Sequence, residues 1–375
     1  YLPRGRDFTD VVTFAPGTVE NNQAGGISID GASGLENRFV IDGIDTTSPQ
    51  DGLSSVPMRA EFFEEVQVKS AGYMAEYGGA MGGVINAVTR SGSNQWHGSV
   101  FFDYENNDLN GSQRPELEYS LDDSTQAELR TYERDDETRW DPGFSIGGPI
   151  LRDRWWFFGS YNPGIRVTDR PVQWQSYPEE VYTQDFRVDY TTFNTTANIA
   201  SSLLLKAGLN YSPYTREGFL PNPDGLADNP DQENWAPLGD EGDRETYYAN
   251  LDWIATDNFV LSGRVGYYLT DRRDTGIPIN PISSYYSTSS VAGFLDRYPE
   301  IPTEWQNGAG WRDFNINYVT QRDEYTRTAG GLDGTLFFSG AGDHSLKVGY
   351  QIEQITNDVA DGWNNDQLLY VWDRA

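Results

Sequence analysis

Apolar and polar residues alternate along most of the chain beyond residue 91. In residues 259–271, and again in 345–353, apolar or aromatic side chains mostly occupy one set of alternate positions and polar side chains the other. Residues 203–211 and 247–253 show the same pattern. Because successive side chains of a β-strand point to opposite faces, each segment has one apolar and one polar face. The pattern predicts β-strands with one face in an apolar environment.

The connections between these segments indicate which kind of sheet they form. Predicted strands lie near residues 97–106, 140–150, 154–165, 184–198, 202–213, 246–254, 259–271, 322–339 and 344–357, and another begins near 366. Short turns fall at 151–153, 199–201, 255–258 and 340–343, and long polar stretches at 107–139, 166–183, 214–245 and 272–321. Short turns on one side and long loops on the other are typical of an outer-membrane β-barrel. A soluble sandwich also alternates but has no need of that rhythm.

Residues 1–93 have a different character. They are rich in glycine, and short apolar runs at 27–29, 38–41, 65–69 and 83–89 are separated by turn residues. This pattern predicts a small mixed α/β domain with short strands. The pattern also allows a brief helix over residues 57–63. The remaining residues, 94–375, are predicted to belong to the barrel.

The number of predicted strands is too small to enclose the N-terminal domain. A barrel of about eight strands is filled by its own side chains, whereas one of about 22 strands leaves a lumen that holds a plug. An open sheet edge in lipid would leave backbone groups unsatisfied. If residues 1–93 lie inside the barrel, ten strands cannot enclose them, and the prediction is a mainly β protein: a small N-terminal α/β plug domain inside a large antiparallel transmembrane barrel of about 22 strands, of which about ten are present. We expect roughly half of the barrel to be missing from the chain.

Composition excludes several classes of function. With 57 acidic and 27 basic residues the net charge is −30, which argues against nucleic acid as a partner. Cysteine is absent, and the two histidines, His97 and His344, are too far apart in sequence to form a histidine-rich metal site by themselves. The glycine-rich residues 77–83 lack the Lys-Ser/Thr ending of a phosphate loop. With no Ser-His-Asp arrangement either, the chain is predicted not to be an enzyme.

Several motifs carry a resemblance to a known family. Residues 37–45, Asn-Arg-Phe-Val-Ile-Asp-Gly-Ile-Asp, resemble a strand and turn of the plug of TonB-dependent receptors. Residues 63–78 and 82–90 resemble the end of those plugs, and residues 91–99 and 146–161 resemble the Oar-type subfamily. The plug-motif residues, for which we expect structural roles in turns and hydrogen bonds, are Asn37, Asp42, Gly43, Glu76, Tyr77, Gly78, Gly82, Gly83 and Asn86.

The resemblance implies a function, a location and partners. It implies active import of a bulky ligand, such as a peptide, protein, glycan or metal chelate, across the outer membrane of a Gram-negative bacterium. A TonB-type energy transducer in the periplasm would drive the import, so no cofactor is expected. The other partners are the extracellular ligand and outer-membrane lipid. The ligand would bind the extracellular loops and the plug apex, at residues 30–35 and 45–56. The candidate apex residues are Asp30, Ser33, Asp45, Thr46, Gln50 and Asp51.

Two questions stay open at the level of sequence. The acidic loop 222–245 either is simply solvated or binds Ca²⁺, for which carboxylate oxygens are suitable ligands. The candidate calcium ligands are Asp224, Asp228, Asp231 and Glu233. The alternatives to a transporter are a non-transporting barrel for surface display or adhesion, and a secreted carbohydrate-binding β-sandwich.

Overall fold

The computed structural model divides the chain into a small N-terminal unit and one large antiparallel sheet. It describes residues 7–20, 25–50, 52–54, 56–73, 78–109, 116–119, 125–130, 135–172, 179–221, 237–277, 280–286, 311–312, 319–363 and 365–371. Among these residues, no helix is long and apolar enough to cross a membrane. We refer to the N-terminal unit as the plug and to the large sheet as the wall.

The plug is built from one short helix and short strands. Its elements are α1 (Phe8–Val12), β1 (Thr18–Glu20), β2 (Ile27–Ile29), β3 (Arg38–Ile41), β4 (Ile44–Asp45), β5 (Phe63–Lys69) and β6 (Val84–Thr89). Strand β1 pairs with β2, and the other four form a sheet in the order β4-β3-β6-β5. The helix predicted over residues 57–63 is only a 3-10 turn at Ala60–Phe62. The predicted boundary between residues 93 and 94 falls in the segment that joins β6 to the wall, and it stays a prediction.

A tight hairpin and an apolar core fix the shape of the plug. Asp42 and Gly43 connect β3 to β4 with φ values of 51° and 85°, and Ile41 pairs directly with Ile44. Two consecutive positive φ angles are typical of a type I′ turn, which glycine at the second position favours. The plug core contains Phe8, Val12, Ile27, Ile29, Phe39, Ile41, Val56, Met58, Phe63, Ile85 and Ala87, and Tyr268 from the wall completes it.

The wall is an 11-stranded antiparallel sheet. In chain order its strands are β7 (His97–Asn106), β10 (Asp136–Leu151), β11 (Trp155–Val172), β12 (Glu180–Ala200), β13 (Leu203–Tyr211), β14 (Tyr214–Glu217), β15 (Gly239–Gly242), β16 (Arg244–Thr256), β17 (Phe259–Thr275), β20 (Val319–Ser339) and β21 (Asp343–Trp363). β13 with β14, and β15 with β16, each make one interrupted pass, so the described wall has nine passes. Outside the wall lie β8 (Glu116–Tyr119), β9 (Ala127–Arg130), β18 (Asn280–Tyr286), β19 (Trp311–Arg312) and β22 (Asn365–Val371).

The two faces of the wall differ as the alternation predicts. On the outer face, Ala249, Val265, Gly330 and Ile352 lie side by side across four strands. The inner face carries polar residues such as Asn250, together with aromatic rings that contact the plug. The mainly β fold class, with a plug and a barrel-type sheet, is therefore confirmed.

The wall strands are longer than the alternation predicts. β12, β20 and β21 each contain 21 residues, whereas a transmembrane strand needs only about 9–11. Apolar–polar alternation ends where the outer face leaves lipid, but neighbouring strands continue to pair in water. The strand predicted near residue 366 exists as β22, but it pairs in parallel with β18 and not with the wall.

Candidate functional site: the plug–wall interface

The plug lies against the inner face of the wall and is attached to it at separate points. The short turns after β10, β12, β16 and β20 define one end of the wall, which we call the short-turn end. Asn194 and Asn250 contact the plug nearer this end of their strands than Arg327 does. The attachments are therefore distributed along the height of the lumen.

Arg327, on β20, makes the densest of these attachments. Its Nη1 lies 3.1 Å from the Asp45 carboxylate and donates to the backbone carbonyls of Asp45 and Thr47 at 2.8 and 2.9 Å. Its Nε lies 2.7 Å from the carboxylate of Glu353 on the neighbouring strand. Only 5% of Arg327 is exposed. A planar guanidinium can serve several acceptors in this way at once, whereas an ammonium is a point charge.

Arg59 forms the second attachment, at the start of the 3-10 turn. Its side chain is 1% exposed, and its Nη2 lies 3.5 Å from Asp141, a fully buried carboxylate on β10. Asp141 is also 3.0 Å from Arg139 of the same strand. Asp7, just before α1, bridges to Arg59 through the backbone, and burial raises the pKa of the Asp7 carboxyl. The segment just before α1 is thus connected to the wall through Arg59.

A network of hydrogen bonds links the C-terminal end of the plug to two wall strands. The Asn194 amide donates to the Thr89 hydroxyl at 2.6 Å and to the Arg90 carbonyl at 3.0 Å. The Tyr248 hydroxyl in turn donates to the Asn194 carbonyl oxygen at 3.0 Å. On the plug side, the Thr89 hydroxyl donates to the Asp42 carboxylate at 2.7 Å. This hydrogen-bond network therefore joins the wall to the β3–β4 hairpin.

Asp42 makes this network sensitive to pH. Burial raises the pKa of its carboxyl from 3.8 to about 6, although the Thr89 amide and hydroxyl both donate to it. The folded protein therefore binds the proton more tightly than the unfolded chain. The stabilising contribution of protonated Asp42 is complete below pH 3.8 and is lost as the pH rises through about 6.

We expect Asp42→Asn to remove this pH dependence. Asparagine tolerates the positive φ of this position and carries no charge, so the variant should be more stable than wild type at pH 7, by up to about 3 kcal/mol. The measurement is the thermal unfolding midpoint of the full-length protein from pH 4 to pH 8. Equal slopes for wild type and variant over this range would show that Asp42 is not the group that titrates.

In the described part of the chain, apolar side chains of plug and wall meet at Tyr268, which completes the plug core, and at Phe62 and Ile44. Phe62 packs among Val188, Tyr190 and Tyr214 of the wall. Ile44 lies so close to Gly266 that a Cβ there would fall 2.0 Å from its Cδ1 atom. The missing side chain at position 266 therefore leaves the space that the Ile44 side chain occupies.

A cavity of about 530 Å³ lies between the plug and the last two wall strands. Its lining residues are Leu35, Glu36, Asn37, Arg38, Asp45, Thr47, Gly78, Gly79, Met81, Arg327, Gln351 and Glu353. Its charged lining residues are paired directly: Asp45 with Arg38 and Arg327, and Arg327 with Glu353. Because Arg327 and Asp45 line this cavity and also attach the plug, a ligand that contacts either side chain would compete with the attachment.

The structure places the candidate apex residues in different environments. Asp30 is exposed and has a φ of 50°, and Ser33 caps the 3-10 turn at Gly34–Glu36. Asp45 is paired with Arg38 and Arg327.

Two further apex candidates differ in exposure. Thr46 is fully buried. Gln50 is exposed, and its backbone N–H donates to the Ser48 hydroxyl at 3.2 Å. Asp45 lines the cavity, and the assignment of a ligand site to these residues stays a prediction.

The described plug-motif residues hold the plug together. Asn37 is buried, donates to the Ile27 carbonyl and accepts from the Gly83 amide at 2.8 Å. A Cβ on Gly82 would meet the Asn37 side chain, and one on Gly83 would meet Ile29.

Two other plug-motif residues also have contacts. The Gly78 carbonyl accepts from Arg38. Asn86 lies on β6 between Val40 and Gln67.

Several predicted residues lie outside the described part of the chain. They are Asp51, Glu76, Tyr77, Asp224, Asp228, Asp231 and Glu233. The calcium site therefore stays a prediction. In the described ranges, no group of three or more His, Cys, Asp or Glu side chains is arranged to hold a metal ion.

Sequence reasoning did not identify the residues that attach the plug. Arg59, Asn194, Tyr248 and Arg327 were not singled out, and their partners are distant in sequence. Asn194, Tyr248 and Arg327 all lie in predicted strands, and Tyr248 has the same phase as the polar positions of its strand. Inward phase predicts contact with the lumen but does not name the partner.

Comparison with known proteins agrees with this architecture. A family model described as an outer membrane beta barrel domain matches residues 88–293. The TonB-dependent receptor plug domain matches residues 3–84. The TonB-dependent transporter Oar of Myxococcus xanthus is 39% identical over 160 residues, which is 43% of this chain and 14% of Oar.

Solved structures with a similar fold are also outer-membrane transporters or receptors. The transporter YddB from Escherichia coli aligns with a TM-score of 0.58 and 13% identity, covering 96% of this chain and 56% of YddB. The siderophore receptor PirA from Acinetobacter baumannii aligns with a TM-score of 0.56 and 16% identity, covering 94% of this chain and 46% of PirA. The chain thus spans about half the length of these structures, and at such identities they show the fold alone.

The wall, the plug inside it and these similarities lead to one family. The resemblance to Oar-type receptors is confirmed by the identity to Oar and by both domain matches. The family consists of transporters, which are not enzymes. The chain belongs to the outer membrane beta-barrel proteins, and specifically to the TonB-dependent receptors of the Gram-negative outer membrane.

Proposed function

We propose that the full-length protein imports a bulky ligand across the outer membrane, driven by a TonB-type transducer that pulls on the plug from the periplasm. The single observation that supports this most is the way the plug is attached. Its contacts with the wall are separate polar contacts around a few apolar side chains, among them Phe62 and Ile44. A plug attached in this way can be displaced without unfolding the wall.

Energetics favour displacement of this kind. A hydrogen bond within a protein contributes only about 0.5–1.5 kcal/mol net, because water replaces the lost partner. The attachments at Asn194, Asn250 and Ser212 are of this type. A force applied before α1 would first reach the contact of Asp7 with Arg59, and the remaining attachments would then release one after another.

The ligand would enter from the side opposite the short-turn end. The extracellular loops and the plug apex, including Asp30 and Gln50, would make the first contacts. The cavity lined by Arg38, Asp45 and Arg327 would receive the part of the ligand that reaches deepest. A ligand with charged groups would weaken the pairing of Arg327 with Asp45 and so favour release of the plug. Peptides, proteins, glycans and metal chelates all remain within this proposal.

A cysteine at Ile44 tests whether the plug moves. Ile44 is 3% exposed, and the chain contains no natural cysteine. In cells that express full-length Ile44→Cys, we expect a fluorescent maleimide to label the protein when the energised transducer is present and not when its gene is deleted. The matched control is Ala341→Cys, in the exposed turn between β20 and β21 at the short-turn end of the wall, which should label equally in both strains.

The outcome separates two functions. Labelling of Ile44→Cys that depends on the transducer supports import. Equal labelling of Ile44→Cys with and without the transducer, while Ala341→Cys reports equal access of the reagent, would instead support a barrel for surface display or adhesion.

A further inference from the structure

Small side chains leave a groove on the outer face of the wall. In one row across four strands, Ala249, Val265, Gly330 and Ile352 are neighbours. Gly330 has no side chain and Ala249 a short one, so the outer face is hollow there. The groove is open to the surroundings of the wall and has a volume of about 600 Å³. Its lining residues are Tyr247, Tyr248, Ala249, Val265, Gly266, Tyr267, Thr328, Ala329, Gly330, Ile352 and Gln354.

The outer face of the wall carries a band of apolar side chains that faces lipid, which we call the apolar belt. The groove lies at the edge of this belt that is farther from the short-turn end. Towards the short-turn end, the next row contains Leu251, Leu332 and Tyr350. Towards the other end, the next row is polar or amphipathic: Tyr247, Tyr267, Thr328 and Gln354. Amphipathic rings are favoured at the interface between hydrocarbon and water.

Charged side chains begin beyond the polar row. Asp271 on β17 and Glu324 on β20 are neighbours in the sheet, farther from the short-turn end. The groove therefore opens into the outer leaflet of the membrane and has a polar rim at the level of the lipid headgroups.

We propose that this groove is a specific site for one acyl chain of lipid A, the lipid of the outer leaflet. The acyl chain occupies the hollow over Gly330, between Val265 and Ile352. The headgroup lies at the rim, where the hydroxyl of Tyr267 is a hydrogen-bond donor and that of Tyr247 hydrogen-bonds to the Glu245 carboxylate.

The surroundings favour a lipid chain over another protein as the occupant. The hollow is continuous with the belt that already faces lipid, and its width is set by one missing side chain. A polar rim directly above an apolar hollow matches a molecule with one apolar and one polar end. This inference is independent of whether the protein transports a ligand.

Filling the groove tests the proposal. A Cβ on Gly330 would lie 3.8 Å from the Ile352 side chain and 3.9 Å from the Arg264 carbonyl oxygen, which is ordinary contact distance. Gly330→Leu should therefore fold and occupy the hollow itself. The matched control is Gly159→Leu, because Gly159 lies on the outer face of β11 and a Cβ there would be 3.8 Å from Phe193. Ala249→Leu fills the groove from the neighbouring strand and serves if Gly330→Leu does not fold.

The measurement is native mass spectrometry of the full-length protein, titrated in detergent with lipid A and, separately, with phosphatidylethanolamine. We expect wild type and Gly159→Leu to retain one lipid A under conditions that remove further lipids. Gly330→Leu and Ala249→Leu should bind it about 10-fold more weakly, which corresponds to about 1.4 kcal/mol.

Three results would overturn the proposal. The first is equal lipid A retention by all variants. The second is retention of phosphatidylethanolamine in place of lipid A. The third is a dimer that wild type forms and Gly330→Leu does not, which would identify the groove as a protein interface.

Discussion

Replacing Arg59 by alanine is expected to weaken the attachment of the plug by about 3 kcal/mol, near the lower end of the range for breaking a buried ion pair. The reason is that Asp141 is fully buried and would keep only Arg139 of its two arginine neighbours. The measurement is hydrogen exchange in the full-length protein. Amides of α1 and of the 3-10 turn at Ala60–Phe62 should exchange about 100-fold faster than in wild type, as that loss of free energy requires.

A surface ion pair provides the control for this experiment. Arg187 pairs with Asp189 at 2.9 Å, but its side chain is 54% exposed. Exposed pairs contribute about 0–1 kcal/mol, so Arg187→Ala should leave the exchange of the plug unchanged. Wild-type protection of α1 in Arg59→Ala would contradict the assignment of Arg59 as an attachment.

Replacing Arg327 by alanine should weaken another attachment of the plug, at Asp45 and Thr47. The change removes the pairing with Asp45, the hydrogen bonds to two backbone carbonyls and the contact with Glu353. We expect a loss of about 2–3 kcal/mol, because hydrogen bonds to charged groups contribute about 1.5–3 kcal/mol each and Arg38 still pairs with Asp45.

Alkylation of a buried cysteine measures this loss. Thr46 is fully buried beside Asp45, so Thr46→Cys reacts only when this part of the plug opens. In the Arg327→Ala background its alkylation should be about 30- to 100-fold faster. Arg327→Lys should fall between wild type and alanine, because lysine keeps the charge but not the planar fork. Equal alkylation rates in all three backgrounds would show that Arg327 does not hold the plug.

The parts of the fold that repeat along the chain could be predicted from sequence. The alternation in residues 203–211 and 247–253 places the apolar side chains on the outer face, and the paired strands β13 and β16 have that arrangement. The Asp-Gly pair at 42–43 likewise marks a hairpin, because glycine accepts the positive φ that the turn needs. Both inferences depend on local rules that act over a few residues.

The attachments of the plug could not be predicted in this way. Arg327 and Asp45 are 282 positions apart, and every inward-facing polar residue of a wall strand has the same phase as Arg327. Only the depth of the plug in the lumen decides which of them meets a partner. The ends of the long wall strands were missed for a related reason, since β12 extends to 21 residues by pairing with its neighbours outside the belt.

The most direct test of the central claim, that the plug lies inside the wall with its hairpin against β17, is a disulfide between Ile44→Cys and Gly266→Cys. A Cβ on Gly266 would be 2.6 and 3.2 Å from the Cγ1 and Cγ2 atoms of Ile44. The two cysteine Cβ atoms should therefore approach the separation of about 3.5–4.5 Å that a disulfide needs. In the full-length protein in outer membranes, mild oxidation should give the cross-link in most molecules, as measured by mass spectrometry of peptides. Two free cysteines after oxidation, both open to alkylation, would contradict the account.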